Sequence, residues 1–401
     1  MTAPEAQADQ PSPPIEEPAF RRLGHVPALD GLRGAALVMV LVTHSPILFN
    51  VFEDRIFHNG FLDGFVTGGY AGLDIFFALS GFLITALILR ERNSTGHVSL
   101  RAFYRRRALR LLPALVFFLS CHMIYTIIRH LSVARERSTD VAALFYFLNY
   151  KVTVNQASVP GDLRHLWSLS VEEQFYFVWP AALVLLLGVP RLRRYLVPII
   201  VSAIALITLR RAELWHLSHD WSHVAWRADA RVDEMLIGGL LAWLWTRNRT
   251  PKRHVALYGW IAVIAFFVSM HQSLVDHAWP YLGGYTLYAI TTAFVILAIL
   301  DSTWVLNRGL GSRPMVALGR ASYSIYLWHL PIFIYVVDLG KTWGAPARVV
   351  VAYGLTGICA GFSYWFIERP AINYKVRIEA RRSATRDSGL ADRPVRLDEH
   401  R

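Results

Sequence analysis

Long apolar runs separated by short charged stretches dominate the chain. Ten membrane-crossing helices are predicted, near 29–49, 68–89, 110–129, 172–188, 195–210, 232–246, 255–270, 283–301, 321–338 and 346–367. The fifth run is short, and the fourth opens on two glutamates. Residues 1–26, Pro-rich and acidic through residue 20, are expected to form a disordered cytoplasmic tail and not a signal peptide, and residues 372–401 a second such tail. Between them, 27–371 reads as one all-α polytopic membrane domain, with about ten helices around a polar cavity. The segment near 130–170 contains FYFLNY, expected to dip into the interface.

Charge sets the orientation. Alternate segments on the N-terminal side hold 28 of the 41 Lys and Arg, the opposite segments hold 12, and Arg33 lies within the first run. The positive-inside rule then puts both termini in the cytoplasm and the chain in the plasma (inner) membrane. Composition agrees: 54% hydrophobic, mean hydropathy +0.34, and 17% charged against about 25% in soluble domains. The +12 formal charge sits in short loops, which argues against nucleic acid as a partner. Cys121 and Cys359 lie in apolar runs with no metal spacing and no disulfide framework, so no metal is expected.

Polar residues inside apolar runs carry the candidate chemistry. Arg33 and His44 are 11 residues apart, three helical turns plus about 20°, so one helix face holds both with a rise of about 16 Å. Histidine is the natural general base near neutral pH, and His44 is either that base or a hydrogen-bonding strut. Arg105, Arg106, Arg107 and Arg110 cluster at the start of the third run, followed by Pro113 in its first turns. They read either as a positive-inside anchor or as a clamp for phosphate. Asp74 opens the second run, with Ser80 near mid-membrane. Ser168, Ser170, Glu172 and Glu173 begin the fourth; capping explains them, and Glu173 equally suits binding a sugar hydroxyl or orienting a histidine. Arg231 and Asp233 suit an ion pair at the edge of the sixth. Tyr323, Tyr326 and His329 lie on the ninth. Trp215, Trp221, Trp226, Trp279 and Tyr281 fit an interfacial belt better than a sugar platform.

Six segments in order, LDGLRGAALVMVLVTHS, GLDIFFALSGFLIT, FYRRRALRLLPA, LWSLSVEEQFYF, SYSIYLWHLP and WFIERP, resemble the membrane acyltransferase type three family from about residue 27 to 371. The resemblance implies transfer of an acyl group, commonly acetyl, from cytoplasmic acyl-CoA to a hydroxyl of a carbohydrate, cell-surface glycan or small molecule. It implies Arg105, Arg106, Arg107 and Arg110 at the CoA phosphates, Arg33 near the thioester, and His44 either deprotonating the acceptor hydroxyl or transiently receiving the acyl group, supported by Asp74, Glu173 and His329. Ser80, Ser168, Tyr326, Arg231 and Asp233 are the candidate substrate-binding side chains. Some members carry an appended SGNH-hydrolase-like domain, which is not expected here. The rival class, a secondary transporter or flippase, would be expected to show an inverted repeat, and none is visible.

Overall fold

The computed structural model describes residues 20–49, 60–271, 277–301 and 303–373, and every regular element among them is helical. The longer helices are α1 (Pro27–His44), α2 (Ala71–Thr95), α3 (Leu100–Ile128), α4 (Val133–Leu144), α5 (Leu148–Val154), α6 (Trp167–Gly188), α7 (Leu196–Ser218), α8 (Val232–Thr246), α9 (Val255–Met270), α10 (Tyr285–Asp301), α11 (Arg313–Leu339) and α12 (Ala345–Phe362). A further helix, Gly60–Thr67, and shorter helical turns join them.

Six helical stretches are long and apolar enough to cross a bilayer: Pro27–Phe49, Gly64–Thr95, Leu100–Ile128, Arg164–Gly188, Pro280–Asp301 and Ala345–Asn373. The chain is a multi-pass membrane protein. The other four expected crossings are helices with a deficit in length or apolarity. Helices α8 and α9 have 15 and 16 residues. At about 1.5 Å per residue they fall short of a hydrocarbon core of about 30 Å. Helix α7 carries Arg210, Arg211 and Glu213, and α11 carries a polar stretch from Ser322 to His329.

The expected tails fall mostly on residues 1–19 and 374–401, outside the described residues. Residues 20–26 are not free: Leu23 is buried, and Arg21 pairs with Asp301 and hydrogen-bonds to Asn248. The arginine-rich loop is also helical. Ser99 caps α3 by accepting from the Ala102 N–H, ten residues before the expected start. Pro113 therefore sits inside the helix, where it removes the usual donor to the Leu109 carbonyl. The FYFLNY segment joins α4 to α5 and leaves Phe145, Phe147 and Tyr150 exposed.

Two close helix contacts organise the bundle, α2 with α8 and α1 with α11. Small residues make both possible. A Cβ on Gly81 would lie 1.9 Å from the Met235 carbonyl oxygen, and one on Gly238 would lie 1.9 Å from that of Ala78. On the other pair, a Cβ on Gly34 would lie 2.5 Å from the Met315 oxygen. Gly81→Val should therefore force α2 from α8 and cost about 1–3 kcal/mol, read as a lower melting temperature in detergent. Gly357→Ala, where an added Cβ meets nothing within 4 Å, should leave it unchanged. Equal melting of the two variants would refute the close-packing account.

Candidate active site

Helices α1, α2, α3, α6 and α11 border a partly open cavity. Its polar wall is Arg33, Arg107, Arg110, Ser168, Glu172, Ser322, Tyr323 and Tyr326; Leu73, Phe76, Phe77, Leu111 and Leu169 complete it. The lining is mixed, with an apolar side formed largely by α2.

The arginines are not equivalent. Arg107 makes a bidentate pair with Glu173, Nη2 to Oε1 at 2.6 Å and Nε to Oε2 at 3.2 Å, and its guanidinium lies 3.2 Å from the centre of the Tyr176 ring. Arg106 donates to Glu91 at 3.0 Å. Arg33 presents a buried Nε with no hydrogen bond among the described residues. Arg105 is not on the cavity wall, whereas Arg110 is. The clamp expected of Arg105, Arg106, Arg107 and Arg110 thus becomes Arg33 and Arg110 beside a neutralised Arg107.

Glu172 corrects the capping assignment. Its Oε1 accepts from the Ser80 and Tyr176 hydroxyls, and the residue faces the cavity. Ser168 and Ser170 donate back to the His165 and Leu166 carbonyls at 3.2 Å, so neither caps the helix. Glu173 contacts Arg107, not His44.

Three histidines meet beyond the cavity. His44 ends α1, and its Nδ1 lies 2.9 Å from the Val40 carbonyl oxygen and 3.3 Å from His329 Nε2. His329 is fully buried, and its Nδ1 donates to the Tyr326 carbonyl at 2.7 Å. A carbonyl only accepts, so neutral His329 carries its proton on Nδ1 and offers a lone pair at Nε2. His44 must then hold its proton on Nδ1, shared between Val40 and His329, which leaves its own Nε2 unprotonated. His165, on the turn before α6, packs its ring 5.2 Å from that of His329. Sequence reading passed over it although it opens the HLWSL segment; only the fold shows that it joins the other two. Tyr326 links the histidines to the cavity: its hydroxyl bonds Ser168 and, at 2.7 Å, the His165 carbonyl.

Asp74, Arg231 and Asp233 are elsewhere. Arg231 donates to Asp74 at 2.8 Å and Glu234 at 2.6 Å, and lies 3.7 Å from the Tyr285 ring centre. Arg211, which the sequence did not single out, donates to Asp233 and the Ala230 carbonyl, each at 2.8 Å. All are buried, and none lines the cavity. Partner groups already occupy the hydrogen-bonding atoms expected to bind substrate, so Arg231 and Asp233 are structural. Trp215, Trp226 and Tyr281 are also buried, with Trp215 stacked on Tyr281 at 4.4 Å, which removes three of the five aromatics from an interfacial belt.

The acyltransferase-domain family, acyltransferase type three, matches residues 26–367. A putative O-acetyltransferase of Staphylococcus aureus (strain COL) is 32% identical over 368 residues, covering 88% of this chain and 58% of that protein. O-acetyltransferase OatA of Staphylococcus aureus (strain NCTC 8325 / PS 47) is 30% identical over 362 residues, covering 86% of this chain and 57% of its own. The chain thus spans less than two thirds of the length of these curated relatives. No solved structure matches. The family match covers all five helices around the cavity and the histidines beyond it: the chain belongs to the acyltransferase type three family.

Proposed function

We infer that this protein transfers an acyl group, acetyl in the first instance, from cytoplasmic acyl-CoA to a hydroxyl of a carbohydrate, cell-surface glycan or glycosylated small molecule. The carrying observation is that Arg33 and Arg110 share a cavity with Tyr326, whose backbone holds the His329–His44 pair. The names of the S. aureus relatives, putative O-acetyltransferase and O-acetyltransferase OatA, support acetyl transfer to oxygen. In this reading the bundle lies in the plasma membrane with both termini cytoplasmic, as the Lys and Arg distribution favours.

The donor fits the cavity in two parts. Guanidinium groups suit CoA phosphates, and the buried Arg33 Nε is a donor in want of an acceptor. Leu73, Phe76, Phe77 and Leu169 suit the less polar pantetheine arm. His44 Nε2, with its lone pair, takes the acceptor hydroxyl proton as that oxygen attacks the thioester carbonyl. The carbon–sulfur bond breaks, and the proton passes to the departing thiolate. His329 Nε2 accepts from His44 Nδ1–H, which stabilises the imidazolium formed meanwhile. Arg33 and His44 lie about 16 Å apart along α1, so the arm runs outward past Tyr326.

His44→Ala should lower thiol release from acetyl-CoA, in membranes holding their native acceptors, by about 10²-fold or more. His329→Gln should lose less, because it removes support and leaves the base in place. Wild-type rates in His44→Ala would sink the reading, as would glycan movement without thioester consumption. Arg110→Gln should raise KM for acetyl-CoA about 10- to 100-fold, as expected for one lost charged hydrogen bond of about 1.5–3 kcal/mol, with kcat little changed. An unchanged KM would remove Arg110 from the donor site.

A further inference from the structure

A second polar cluster lies at the far end of α3, distinct from the cavity. His122 of α3, Glu136 and Asp140 of α4, and Asp162 on the turn before α6 converge with at least nine-tenths of each buried. His122 Nε2 lies 3.4 Å from Asp162 Oδ2 and 3.8 Å from Glu136 Oε2, and these three atoms all fall within 4.8 Å of one another. Its other nitrogen, Nδ1, lies 2.9 Å from Asp140 Oδ1. Tyr335 of α11 donates to Asp162 Oδ2 at 2.6 Å.

Few protein cations pair directly with the acids of this cluster. Among the described residues, His122 is the only basic side chain within 4.0 Å of the three carboxylates. Lys151 and Arg135 act on Glu136 only from further away and hydrogen-bond neutral oxygens, Lys151 the Ser138 and Thr139 hydroxyls and Arg135 the Ala157 carbonyl. Glu136 Oε2 is buried, aimed at His122 Nε2, and has no hydrogen bond; both Asp140 oxygens are likewise without one. Buried carboxylates in that condition are costly unless a cation joins them.

We propose that His122 Nε2, Glu136 and Asp162 bind a divalent transition-metal ion of the zinc class. Tetrahedral bonds of about 2.0–2.2 Å set neighbouring ligand atoms about 3.3–3.6 Å apart; His122 Nε2 stands 3.4 Å from Asp162 and 3.8 Å from Glu136, so a small inward movement of Glu136 closes the site. Asp140 lies 2.9 Å from the opposite ring nitrogen, near enough that a small rotation of the imidazole on metal binding would give the carboxylate–histidine–metal hydrogen bond that fixes a ligating ring. The ligands come from three elements and share no short sequence spacing, so the sequence gives no sign of them. The ion would tie α3 and α4 to the turn carrying Asp162, three residues before His165. The site stands on its own geometry and does not depend on the acyl-transfer reading.

The test uses the full chain in detergent, stripped with EDTA, dialysed against one equivalent of Zn²⁺ and analysed by mass spectrometry for metal content and by thermal melting. Wild type should retain about one zinc per chain and melt higher with zinc than without. Glu136→Gln should bind at least tenfold more weakly and lose the zinc-dependent rise, while melting no lower than wild type when both are metal-free. His122→Gln should behave alike. Wild type that retains no zinc overturns the proposal whatever the variants do, and so does undiminished zinc in a folded Glu136→Gln protein.

Discussion

A charge held at membrane depth must be paired or must face a cavity, and this requirement sorts the arginines of the bundle. Arg211 and Arg231 are enclosed by Asp74, Asp233, Glu234 and backbone carbonyls. Their network ties α2, α7 and α8 together and lies against Tyr285 of α10. It therefore fixes the helix that supplies Leu73, Phe76 and Phe77 to the cavity wall. Arg107 is neutralised by Glu173 and by the face of Tyr176. Arg33 remains on the cavity with a buried donor unmet. The same rule that makes most of these cations structural singles this one out for an anionic visitor.

Helix packing sets the histidine geometry. Gly34 faces Gly319, where an added Cβ would come within 3.2 Å of the backbone nitrogen, and ten residues further along each helix His44 meets His329. The offset of 285 residues is the same at both contacts. Two parallel helices that start in contact and rise together by about 1.5 Å per residue stay in step over about 15 Å. A bulky side chain at either glycine would shift that register and part the histidines without touching them.

Hydrophobic runs made the crossings visible, but not the helix ends. Hydropathy marks the stretch at membrane depth, whereas α3 begins ten residues earlier because arginines, good helix formers, continue the helix outside that depth. The short α8 shows the converse: an apolar run is a helix without being long enough to span. In the site, Arg33, His44 and His329 were legible because each interrupts an apolar run, where a polar residue needs a reason. His165 and Glu172 were not, since both sit among polar neighbours where helix-end chemistry explains them equally well. Asp74, Arg231 and Asp233 interrupt apolar runs in the same way, because burial costs a charge the same whether substrate or a protein partner such as Arg211 compensates it.

The direction of any proton movement follows from one carbonyl. With Nδ1–H of His329 held by the Tyr326 oxygen, His329 can only accept at Nε2, and His44 is the only imidazole among the described residues hydrogen-bonded there. His44 is then the member of the pair with a free lone pair, at its own Nε2, and His329 is the member that shares the charge when this nitrogen is protonated. The reverse assignment would require a carbonyl to donate. Tyr326 therefore does more than line the cavity: its hydroxyl joins Ser168 and the His165 carbonyl, while its backbone fixes the tautomer of His329. A displacement of this one residue would be felt at His44, three helical turns along α1 from Arg33.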